Sequence, residues 1–372
     1  MKKAIINTIT AILIAYTGKC QLTTQDSLVL RIPEQSTYTS SGIADYVKSQ
    51  FPSDSARIRA LFVWVGNNIS YDIDGLRLAA GNPEKKSTAD VLKTRKGVCG
   101  DYAGLLAELC NQCNIKSIVI PGYARYPDGS IGQLSHAWVA ARLYDKWWLF
   151  DPTWAAGTVK DNRFTGRFSN RFYKLLPEEM IKDHMPFDPL YQFLYYPVTS
   201  QEFYDGKTTI NSSKKIFSFR DSLEVHSALP LIDQIRNTAR RISTNGILND
   251  HTRGMLKNLQ HNQQSLESKA GYEQASRQFQ QAIVIFNRYI ENKNKRFSAI
   301  TEDKQIGQMI DSVLQRIQTA KLMLVPVVAN DDRYQRILDD INKAILELSQ
   351  RVDEEKLFVS KYLQTDRTLR KQ

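Results

Sequence analysis

Six apolar residues, Ile306, Ile310, Val313, Ile317, Ala320 and Leu324, recur at alternating spacings of three and four. Tyr334, Leu338, Ile341, Ile345, Leu348 and Val352 repeat the pattern. This spacing lines up one edge of a helix and scatters over both faces of a strand, so the last third of the chain has to be helical. Two shorter stripes precede it: Ala228, Ile232, Ile235, Ala239 and Ile242, then Phe279, Ile283, Phe286 and Ile290. Only short breaks such as "TNGILND" and "VPVVANDD" interrupt them. Residues 229–372 are therefore expected to form an all-α antiparallel bundle or set of helical hairpins. This half carries no recognisable chemistry and suits packing or the binding of a protein partner.

The first 210 residues read differently. Helices are expected at 42–51, 54–70, 87–97 and 99–113, the second with Asp54 as its N-cap. "KSIVIPGYAR" (116–125), "SHAWVAARLY" (135–144) and "KWWLFDPTW" (146–154) read as strands, with "PDGSIGQ" as a loop. A Ser/Thr-rich lead fills 22–40, and the segment around "DGKTTINSSKK" is linker-like. The expected division is a leader at 1–20, a mixed helix–strand core with its lead at 21–210, a linker at 211–228 and the helical domain at 229–372.

The leader, "MKKAIINTITAILIAYTGKCQ", places two lysines before an apolar run from Ala4 to Tyr16. That is the layout of a signal peptide, and the run is too short to span a bilayer. A secreted or periplasmic protein is expected. A lipid-anchored form through Cys20 fits less well, because Lys19 stands where a small residue is wanted. The formal net charge of +11 allows contact with anionic polymers. The basic residues are nevertheless scattered and form no nucleic-acid motif, so nucleic acid is an unfavoured partner. "CNQC" (110–113) lies at the end of an amphipathic helix and lacks the second pair a zinc site would need.

Cys99, in "KGVCGDYAGLL", is the residue on which function turns. Tyr102, Leu106, Leu109 and Cys113 continue from it at helical spacing, which would suit a core residue. Its position between Gly97 and Gly100, in a first helical turn, argues for a nucleophile. Free amides and the helix dipole there favour a thiolate and can stabilise an oxyanion. A thiolate nucleophile wants an imidazole, and the imidazole wants a carboxylate. His136 is the strand histidine. It shares a face with Trp138, Ala140 and Arg142, taken as the more polar face, whereas Ala137, Val139, Ala141 and Leu143 face a core. Asp151 ends the next strand. A turn at Asp145–Lys146 leaves the two residues four positions out of register. A three-residue loop puts them on opposite faces. A four-residue loop, Leu143–Lys146, makes them diagonal neighbours, and that register is expected. His184 is read as a structural loop residue, and His226, His251 and His261 as exposed. The tryptophans are read mainly as packing.

The blocks "DVLKTRKGVCGDYAGLLAELCNQCNI", "GYAR" and "SHAWVAARLYDKWWLFDPTW", with "LFVWVGNNISYD" upstream and "FYKLLPEEMIKDHMPFDPLYQFL" downstream, resemble the transglutaminase-like superfamily. The nearer branch includes the kyphoscoliosis-peptidase-like proteins. The resemblance covers roughly residues 40–200. It implies an α+β, papain-like core of helices packed on an antiparallel sheet, and a triad of Cys99, His136 and Asp151. It implies an exported cysteine enzyme acting on amide bonds of peptides or glutamine through an acyl-thioenzyme, with hydrolysis favoured over transfer. Protein, peptide or cell-envelope substrates would be its partners, and no cofactor or metal is called for. The alternative is a non-catalytic binding or scaffold protein of the same fold at the cell envelope.

Overall fold

A computed structural model describes residues 23–78, 86–298, 300, 302–329, 331–366 and 369–371. The expected leader, with Cys20, lies outside the described residues. No described helix is long and apolar enough to cross a membrane.

The chain divides into two compact units between Lys257 and Asn258. The expected boundary at 211–228 is therefore corrected. Phe219–Ala228 (the helix α5 of the series below) is not a linker. Its Phe219 is buried beside Trp138, Leu190 and Phe193, and Arg241 of the following helix makes a bidentate ion pair with Asp188 at 2.8 and 2.7 Å. The apolar stripe of 228–242 belongs to the first unit because it has this neighbouring surface to cover.

In the first unit, helices α1 (Ser40–Gln50), α2 (Asp54–Asn68) and α3 (Cys99–Gln112) pack on one side of a four-stranded antiparallel sheet. Its strands are β1 (Ser117–Ala124), β2 (His136–Leu143), β3 (Lys146–Phe150) and β4 (His184–Pro186), in spatial order β3–β2–β1–β4. α2 is buried on nearly all sides over Leu61–Gly66, so it forms the centre of the core. Ser53, one residue before the expected Asp54, caps it, its hydroxyl accepting from the Ala56 amide. The Ser/Thr-rich lead is also packed: Thr24–Val29 is helical, Val29 is fully buried, and Asp26 forms an ion pair with Arg59 at 2.7 Å.

Both faces of the sheet are covered. Ala137, Val139, Ala141 and Leu143 meet the helices as expected. The opposite face is not the more polar one: Trp138 and Ala140 are buried with Ile120, Leu149, Met180 and Leu190. The segment after β3 supplies that second cover, which alternation in β2 alone could not reveal.

β3 ends at Phe150, earlier than expected. Residues 152–156 form a one-turn helix, α4 (Pro152–Ala156), with Asp151 as N-cap and Pro152 in the first turn. Leu143 pairs with Lys146, so β2 and β3 are joined by a two-residue turn with Tyr144 and Asp145 at φ 50° and 61°. Both residues being left-handed is the type I′ geometry that matches strand twist. The expected four-residue loop closes one pair further than foreseen, and the register is the expected one. Asp151 follows the Val139–Phe150 pair and lies diagonal to His136.

Beyond α5 and α6 (Leu231–Asn245), the second unit holds the later part of α7 (Asp250–Asn294), α8 (Asp303–Leu324) and α9 (Asp332–Gln364). All six residues of the 306–324 stripe are buried, as are Leu338, Ile341, Ile345, Leu348 and Val352. Arg370 pairs with Asp303 at 2.9 Å and Lys321 reaches Ser349 at 3.3 Å, so α8 and α9 run antiparallel. The α+β core followed by a helical region is thus the observed architecture.

Candidate active site

Cys99 opens α3. A short parallel pairing, Ser70–Tyr71 with Lys96–Gly97, fixes the backbone just before it. The buried Asp101 then accepts the Val98 amide at 2.9 Å and the Lys86 amide at 3.1 Å. A carboxylate thus closes the first turn without touching the thiol. The first-turn amides of Cys99 and Gly100 have no acceptor within the helix and are available to a ligand.

Cys99 is only partly buried, and its thiol donates to the Ser135 carbonyl oxygen at 3.8 Å. It lines a cleft of about 270 Å³ whose walls include Tyr71, Tyr126, Trp154 and Phe164. Cys110 and Cys113 are free and buried, and burial pushes both thiols up. They behave as packing residues of the helix.

His136 follows Ser135 at the start of β2. Its Nε2–H donates to Asp151 Oδ2 at 2.7 Å, and the residue lines the same cleft as Cys99. Trp154 stacks on the imidazole, with centroids 5.2 Å apart and planes at 28°. Burial works against charge on His136, but the Asp151 carboxylate outweighs it, helped by Cys99, and lifts the imidazole to about 10. Asp151 is wholly buried. Burial would raise its pKa, yet His136 and His184 hold it well below the usual carboxylate range. Its Oδ1 accepts the Thr153 and Trp154 amides at 2.8 and 3.1 Å, which is the helix cap described above.

Two histidines are placed differently from the sequence reading, and both are buried. His184 is not a loop residue: it begins β4, pairs in register with Ala124, and sends Nε2 to Asp151 Oδ2 at 3.1 Å. The "DHMPFDP" segment offers no local sign of this, because it reaches the site through a three-residue strand paired with β1. Gly122 makes that pairing possible. It lies opposite both His136 and Pro186, and a Cβ there would stand 2.2 Å from the Met185 carbonyl oxygen. His226 is likewise buried rather than exposed, beside Arg241 at 3.4 Å. His251 is half-buried and bonds the Gly132 carbonyl at 2.9 Å.

Among the described residues, His136, Asp151 and His184 are the one group with the chemistry of metal ligands, their atoms lying within 4.8 Å of one another. The bonds between them occupy those same atoms, and all three are buried. They fit a hydrogen-bonded cluster.

Residues 41–152 match the Transglutaminase-like superfamily. Kyphoscoliosis peptidase from Mus musculus is 31% identical over 160 residues, 41% of this chain and 24% of that protein. The Homo sapiens protein of the same name gives the same identity and coverage. The chain thus spans about a quarter of the length of these curated relatives. The crystal structure of the periplasmic domain of TgpA from Pseudomonas aeruginosa aligns over 35% of this chain and 47% of its own, at 24% identity. Its TM-score of 0.26 is too low to build on. The matched segment, which holds Cys99, His136 and Asp151, is a transglutaminase-like domain. The match lies within the first unit, and residues 153–372 lie beyond it.

Proposed function

We propose that this chain is an exported thiol enzyme that cleaves amide bonds. The observation that carries the reading is that a partly exposed Cys99 lines one cleft with His136, whose imidazole is hydrogen-bonded to the buried Asp151. A binding module of the same fold has no need to keep a cysteine and a carboxylate-bound imidazole in one cleft.

In this reading Cys99 Sγ, as thiolate, attacks the carbonyl carbon of a carboxamide or peptide bond. An S–C bond forms, and the oxyanion is met by the first-turn amides of α3. As the C–N bond breaks, the His136 imidazolium gives its proton to the leaving amine or ammonia. His136 then takes a proton from water, the hydroxide adds to the thioester carbon, and the S–C bond breaks to release the acid. Asp151 orients His136 throughout. Hydrolysis is favoured over transfer because nothing identifies a site for an amine acceptor, and the relatives named above are called peptidases. Ile73, Leu76, Val159 and Phe164 give the cleft apolar walls suited to an apolar side chain beside the scissile bond. Residues 258–372 would engage a protein partner, and the lysine-led apolar run of the first 20 residues would direct export.

The test is intact-mass detection of iodoacetamide on the full chain, with peptide mapping to Cys99. Wild type should label fast at neutral pH, and His136→Ala at least about a hundredfold more slowly. Equal rates in both would leave the binding-module reading in its place.

A further inference from the structure

His184 has a carboxylate on each ring nitrogen. Nε2 lies 3.1 Å from Asp151 Oδ2 and Nδ1 lies 2.5 Å from Asp183 Oδ1. A neutral imidazole carries one N–H, so it would satisfy one carboxylate and turn a lone pair on the other. Only the doubly protonated ring answers both. The ring is fully buried, boxed by Trp138, Trp154 and Phe172 at centroid distances of 5.1, 4.6 and 5.5 Å. An unpaired nitrogen in that box would have no water to turn to.

We propose that His184 is a positioning residue for Cys99, His136 and Asp151: an imidazolium clamped between Asp183 and Asp151 that fixes the Asp151 carboxylate and limits how much of its charge His136 feels. The inference rests on the reading of Cys99 as nucleophile.

The hydrogen-bond arithmetic carries it. Asp151 Oδ1 is filled by two backbone amides, and Oδ2 receives both imidazoles. Each acceptor oxygen then has two donors, so the carboxylate cannot turn. His136 and His184 share one oxygen with ring centroids 5.3 Å apart. A cation at that distance weakens the grip of Asp151 on the His136 proton. An enzyme that needs His136 to hand a proton to a leaving group gains from this. With Asp151 alone, a full negative charge would hold the proton too firmly. The charged groups facing His184 are Asp151, Asp183 and His136, with Arg171 3.9 Å beyond Asp183. Burial opposes charge on His184, but Asp183 and Asp151 outweigh it and raise its pKa.

The test is NMR of the full chain labelled with ¹⁵N,¹³C-histidine, in wild type, Asp183→Asn and His184→Gln. His184→Gln also assigns the His184 signals, and His136→Ala those of His136. In wild type, both ring nitrogens of His184 should be protonated at pH 7–8. In Asp183→Asn the second ring proton should be lost and the His136 titration midpoint should rise by about one unit or more. His184→Gln should move His136 the same way. Asp183→Asn decides the matter if His184→Gln fails to fold, since Asp183 is partly exposed. A neutral His184 in wild type, or an unmoved His136 midpoint in Asp183→Asn, overturns the inference. The reading of Cys99 fails separately: iodoacetamide labelling of Cys99 would then be the same with and without His136, whatever His184 does.

Discussion

The two units bury different things. Residues 258–372 enclose apolar stripes from three helices, and the charged groups there stay at the margins, as in Lys293 with Glu355 at 2.6 Å. The first unit has a larger apolar core but also drives Asp151, His136 and His184 out of water at one end of its sheet. A stripe of isoleucines is satisfied by any matching stripe. A buried carboxylate is stable only if each acceptor position has its donor. The helical unit therefore depends on volume and the sheet end on atom-by-atom pairing. Damage to the two should look different.

The largest effect should come from Asp151→Ala. It removes a helix cap and leaves two buried imidazoles without their anion, which should cost about 3–5 kcal/mol. All five tryptophans lie between Trp64 and Trp154, so their fluorescence during urea unfolding reports this unit alone. Cys99 labelling should be lost as well. Ile345→Ala, in the helical unit, should cost about 2–4 kcal/mol by cavity formation. That loss belongs in the far-UV circular dichroism transition, while the labelling rate of Cys99 stays at the wild-type value. A coupled loss of labelling would contradict the separation of the two units.

A smaller, reversible change should follow pH. His136 is raised above its unfolded value, so its contribution is full below about pH 6.5 and disappears as pH climbs through about 10. Asp151 is lowered, so its share is present above about pH 3.9 and goes as pH falls below that. Tryptophan-monitored stability of wild type should decline on both sides of this window. The alkaline decline should shrink in His136→Ala, leaving the share of His184, whose pKa is also raised. The smallest effect belongs to Arg142→Ala at the edge of the β2–β3 turn. Its exposed ion pair with Asp145 should be worth less than about 0.5 kcal/mol in the same measurement.

The same contrast governs what could be read from residue order. The stripes at 306–324 and 334–352 were legible because a helix repeats within one turn, so neighbours in sequence are neighbours in the core. The β2–β3 register was legible because turn length and strand alternation are also local, although Tyr144 and Asp145 closing in left-handed backbone was not foreseen. The packing of 219–245 onto the first unit was not legible, since an amphipathic helix does not say which surface covers it. His184 was least legible of all. It comes to Asp151 through a strand of three residues paired sixty or more positions away, across a glycine whose role is to be small.

Asp151 does two jobs with one carboxylate: one oxygen ends a strand and begins a helix, and the other faces the imidazoles. Cys99 has no comparable duty to the fold. The two should therefore respond differently to relaxed selection. In a lineage that abandoned the reaction, the thiol would be free to drift at once, whereas the aspartate would be kept by the stability of the domain. Across chains of this fold, an intact aspartate at this corner therefore testifies to folding, and the cysteine is the position whose retention testifies to chemistry.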